Sequence, residues 1–106
     1  MTEIVRNHVK EYMNKNMSLL PFEIQVDSKK LSHVEDIATS IMCTKWKVGY
    51  PGGSFVESVV ANNLSQSFGR ADSVCRLAMY FFVCLLYNLD MPREVYLSKQ
   101  EEEEIS

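Results

Sequence analysis

The sequence is short of nearly everything that would fix a function by motif. Its three cysteines, Cys43, Cys75 and Cys84, are odd in number and have no C-x-x-C spacing, so they write neither a disulfide framework nor a cysteine-based zinc motif. The two common phosphate-loop fingerprints, G-x-G-x-x-G and G-x-x-x-x-G-K-[ST], are both missing. Four glycines and three prolines in 106 residues leave no linker to divide the chain, so one domain is expected. The longest apolar run, Leu77–Tyr87, is eleven residues, against the ~20 that a membrane span needs. No basic leader precedes an apolar core at the N-terminus, and a cytoplasmic protein is expected. There is no excess of positive charge either. A net charge of −3 argues against binding duplex nucleic acid through its phosphates.

What is present reads as a mainly α protein, a small four-helix or helix-rich bundle. In residues 3–14, Ile4, Val5, His8, Val9, Tyr12 and Met13 share one stripe at helical spacing. "FEIQVD" alternates, which predicts a short extended segment at 22–27 with Phe22, Ile24 and Val26 on one side. Ser32 and Glu35 form a capping box for a second helix over 31–44, and Ser54 and Glu57 form another for a third. That third helix is expected to run unbroken to Gly69, with Asp72 capping the fourth. The fourth, residues 73–88, is apolar on almost every face and must be covered on every face. Either it is the central post of a compact bundle or part of it meets another copy of the chain, and because a chain this small has little spare core an oligomer is expected. "REVYLSKQ" adds a last turn of helix. Residues 1–98 then form the domain and 99–106, with Glu101–Glu104, an acidic disordered tail.

The stretch "KWKVGYPGGS" holds the candidate site. The start of a helix offers free amides and a positive dipole end, which suits phosphate. Gly52 and Gly53 would admit a ligand close to the backbone, and Ser54 adds a hydroxyl. Lys45 and Lys47 would supply charge, Trp46 and Tyr50 flat faces for a base. Asn62 and Asn63 offer amides to a ligand. Arg70 would stand about 24 Å from the loop along one straight helix, and so would join only from another subunit. Each feature also has a structural explanation: a turn, a core indole, solvated lysines. His33 and Cys43, ten residues apart on one helix, cannot pair for proton transfer. No catalytic residue, metal ligand or cofactor is assigned.

The block "YPGGSFVESVVANNLSQSFGRAD" followed by "LLYNLDMP", residues 50–92, resembles a set of short bacteriophage-encoded proteins. The matching residues are Gly52, Gly53, Phe55, Asn62, Asn63, Leu64, Phe68, Arg70, Asp72, Tyr87, Asn88 and Pro92. Cys75 stands where the pattern tends to have Asn, and "VYLS" replaces a Gly-Ser after the proline. The resemblance implies a non-enzymatic phage accessory protein acting on host machinery in the host cytoplasm. It implies, by analogy of lifestyle, an anti-defence role such as an oligomer that sequesters a nucleotide immune signal. The expected partners are thus a small nucleotide-like ligand and further copies of the chain. The alternative is a protein–protein inhibitor or adaptor that docks a host protein through its apolar helix or its acidic tail.

Overall fold

The computed structural model describes residues 1–105, and the side chains of 1–101. Its elements are α1 (Thr2–Lys15), a 3-10 turn (Met17–Leu19), α2 (Phe22–Gln25), α3 (Ser28–Trp46), α4 (Ser54–Val60), α5 (Leu64–Arg70), α6 (Ser73–Leu77), α7 (Met79–Asn88) and α8 (Arg93–Ile105). No strand occurs among the described residues. The helix-rich bundle expected from periodicity is the architecture found.

α3 is the post on which the rest assemble: α1, α2, α4, α6 and α7 all pack against it. Its long run of buried residues, Val34, Ala38, Ile41, Met42, Cys43 and Trp46, recurs at helical spacing. α1 lays Val5, Val9 and Met13 onto it, and Arg6 clamps the pair through Glu35 (2.8 Å) and Asp36 (2.7 Å). α7 closes the core with Phe81, Phe82, Leu85 and Leu86. Phe81 and Phe82 lie 6.0 Å apart, and extend the cluster to Tyr12 and Phe55 respectively.

Five sequence expectations change. Residues 22–27 are not extended. Phe22 and Val26, four residues apart, share the outer side of a single helical turn while Ile24 alone is buried. The turn satisfies its own amides, which an isolated strand could not. α3 starts earlier than its supposed capping box, because Asp27 caps it by accepting from the Lys29 and Lys30 amides. The third helix is broken in two. Asn62 takes a left-handed conformation (φ 60°), and the Asn63 amide donates back to the Ser58 carbonyl at 2.9 Å, a Schellman stop. The fourth is interrupted at Ala78, which separates α6 from α7. α8 continues to Ile105, through residues 99–105 that the sequence assigns to a disordered tail; Ser106 lies outside the described residues.

Candidate functional site

The loop between α3 and α4 does not gather its residues into one cradle. Trp46 is only 4% exposed and belongs to the core, so it offers no stacking face. Lys45 turns away and donates to the Leu86 carbonyl, capping the end of α7. Lys47 ends α3 in the left-handed conformation (φ 58°), with its amide and that of Val48 folded back on the helix. Gly49 follows at φ 67°, in the left-handed region that favours glycine. Tyr50 is almost fully exposed.

The two glycines differ. Gly52 has no free room: a Cβ there would fall 2.3 Å from Val56 Cγ1 and 2.8 Å from Ser40 Oγ. Its amide is already used, donating to Thr44 Oγ1 at 3.0 Å. Gly52 therefore serves close packing. Among the described residues, nothing lies within 4 Å of the corresponding position at Gly53, which is the N-cap of α4, and no side chain bonds the helix start. Ser54 is the first residue of α4 and not its cap.

Because the third helix breaks, Arg70 returns to this point within one chain. Its Nη1 donates to the Ser54 carbonyl at 3.3 Å. The straight-helix expectation, which required a second subunit, is corrected. Asn62 and Asn63 are the cause of the break, and their roles are structural: Asn62 supplies the left-handed turn, and Asn63 Oδ1 caps α5 by accepting from the Gln66 amide. Two hollows flank Pro51. One, of about 190 Å³, is lined by Arg6, Asp36, Thr39 and Tyr50 among others; the second, of about 280 Å³, by Thr44, Lys47, Val48 and Gly49. Both fall under the 300–1,000 Å³ usual for small-molecule pockets. Gly53, Ser54 and Arg70 line neither.

A different surface stands out. On α7, Tyr80, Val83 and Tyr87 face outward at helical spacing with the half-buried Cys84 between them, and Leu77 is exposed at the end of the adjoining α6. α5 adds to it in an unusual way. Its one buried residue is Ser67, while its apolar residues, Leu64 and Phe68, are exposed. Leu64 and Val83 line one shallow hollow between α5 and α7, and the Arg76 side chain bonds the Phe68 carbonyl (3.3 Å), tying the end of α5 to α6. The sequence reading asked that α7 be covered all round; the described residues cover one side only.

Sequence reasoning also missed a meeting of His33, Asp72 and Cys75. Asp72 caps α6 as expected, accepting from the Cys75 amide at 2.7 Å, and His33 Nε2 lies 2.8 Å from its other oxygen. Burial works to raise the Asp72 carboxyl, but the bonds from the Cys75 amide and His33 outweigh it and hold it below its ordinary value. Burial, and then the neighbouring Asp72 charge, push the Cys75 thiol up to about 12. A thiol so placed stays protonated at neutral pH and is no nucleophile. No family model, curated protein or solved structure matches the chain.

Proposed function

We propose that this chain is a non-catalytic interaction protein that self-associates through the outward face of α5, α6 and α7. The observation that carries the reading is α5, a helix that buries a serine and turns Leu64 and Phe68 to solvent. Burying apolar side chains is the main reward of packing a short helix, and one exposed this way is waiting for a second surface. Leu64, Phe68, Leu77, Tyr80, Val83 and Tyr87 together expose roughly 500 Å² of side chain, taking 150–250 Å² as a whole aromatic. A standard interface takes about 800 Å² from each partner, so the stripe would be its core and the polar surroundings its rim. None of these six side chains is charged, so a two-fold axis would set the stripe against its own copy without like-charge repulsion.

Cys84 provides the test. It lies inside the stripe, while Cys43 and Cys75 are buried. A short bis-maleimide should link two chains through Cys84 at micromolar protein, and Cys84→Ser should abolish the link. If the native protein yields only singly modified monomers, self-association on this face is wrong, and a different protein becomes the expected occupant.

A phosphate-bearing, nucleotide-type ligand is the second reading, and Arg70 favours it. Its guanidinium bonds the Ser54 carbonyl in the first turn of α4, one residue along the chain from the open Gly53, and has only that backbone carbonyl as partner among the described residues. Gly53, Ser54 and Arg70 would then hold the phosphate. Cyclic di- and trinucleotides screened by thermal shift test it: binding raises the midpoint, and Gly53→Glu, which places a carboxylate there, removes the rise. No shift with any of them discards this reading.

A further inference from the structure

His33, Asp72 and Cys75 take no part in either reading. His33 and Cys75 are 42 residues apart in sequence, yet His33 Nε2 lies 3.8 Å from Cys75 Sγ and 2.8 Å from Asp72 Oδ2. The three ligand-type atoms lie within 4.8 Å of one another. Local chemistry explains the convergence. Asp72 and Cys75 are the N-cap and third residue of α6, and the capping bond from the Cys75 amide holds the carboxylate over that residue. α3, packed against α6, brings His33.

We propose that His33, Asp72 and Cys75 form a binding site for a divalent ion of the zinc type. One imidazole, one carboxylate and one thiolate make a mixed donor set that suits zinc and its borderline-soft relatives and not magnesium or calcium, which take oxygen. Bond lengths of about 2.3 Å to sulfur, 2.0–2.1 Å to nitrogen and 2.0–2.2 Å to oxygen set the scale. At tetrahedral angles they put nitrogen and sulfur about 3.6 Å apart, and nitrogen and oxygen about 3.4 Å. The observed 3.8 Å nearly meets the first, and the second requires His33 and Asp72 to part by about half an ångström. Both side chains are substantially exposed, at 40% and 54%, and free to do so.

The arrangement also supplies what orients a ligand. Asp72 Oδ1 stays engaged by the Cys75 amide, leaving Oδ2 to bind the ion. The sulfur lies at the buried end and the imidazole and carboxylate toward solvent, so the ion enters from outside and keeps a fourth position for water or a partner's donor. Binding replaces the Cys75 thiol proton, which is released to the buffer.

Cobalt(II) titrated into the reduced full-length chain tests this. We expect one ion per chain and a thiolate-to-cobalt charge-transfer absorption that zinc(II) displaces and magnesium(II) does not. Cys75→Ser should abolish the band, and His33→Gln, at a surface position that leaves folding intact, should weaken binding at least tenfold. Cys43→Ser and Cys84→Ser should leave both unchanged. A chain that shows no such band, or whose band survives Cys75→Ser or keeps full affinity in His33→Gln, has only a capped helix and a surface ion pair here, and the proposal fails.

Discussion

The Arg70 guanidinium donates to the Ser54 carbonyl at 3.3 Å, across sixteen residues of sequence. Those residues as one helix would hold the two about 24 Å apart. The contact therefore records the break at Asn62 and Asn63. It is an exposed bond to a neutral carbonyl, so Arg70→Ala should cost less than about 1 kcal/mol in urea unfolding. Asn62→Val, which forces a β-branched residue into φ 60°, should cost more than that.

Gly52 and Gly53, adjacent in sequence, should respond in opposite ways. Gly52→Ala drives a methyl into Val56 and Ser40 and should destabilise by about 1–3 kcal/mol. Gly53→Asp meets open space at an N-cap that lacks a side-chain bond, and should stabilise by a few tenths of a kcal/mol. Urea denaturation of the two variants checks both signs.

Trp46 is the only tryptophan and reports its own placement. Packed in the core, it should fluoresce at short wavelength and resist quenching by iodide until the chain unfolds. Trp46→Ala should cost about 3–5 kcal/mol, the loss expected of a buried aromatic.

Stability should depend on Asp72 and Cys75 at opposite ends of the pH scale. Asp72 is held below its ordinary value, so its contribution is complete above the carboxylate range and disappears as pH falls through the folded value. Asp72→Asn, which keeps the cap but loses the charge, should flatten that acid limb. The Cys75 thiol is raised from 9.0 to about 12, so its contribution is complete below pH 9 and is lost as pH rises from there. Cys75→Ser should flatten the alkaline limb. Melting temperature against pH in the three proteins is the measurement.

Periodicity made the helices legible wherever one face was buried over several turns. The stripe of Ile4 to Met13 and the apolar face of α3 behave as written. It failed where the signal was short. "FEIQVD" alternates over six residues, and one helical turn accommodates Phe22, Ile24 and Val26 as readily as a strand would. The break at Asn62 and Asn63 was present in the sequence as two residues suited to helix ends, one tolerant of the left-handed region and one able to cap. The same two amides suit a ligand's hydrogen bonds equally well, and the sequence does not separate the two roles. The meeting of His33 with Asp72 and Cys75 had only a local half in the sequence, the Asp-x-x-Cys spacing. Its other half depends on how α3 and α6 pack, which no spacing records.

The outward stripe of α7 is where the account stands or falls, and the mass of the particle in solution decides it. Light scattering on the size-exclusion peak should give a multiple of the 12.2 kDa chain at micromolar concentration, reverting to the single-chain mass in Tyr80→Glu/Val83→Asp with helical content unchanged. A native protein that runs as one chain at every concentration, or a double variant that still associates, contradicts it.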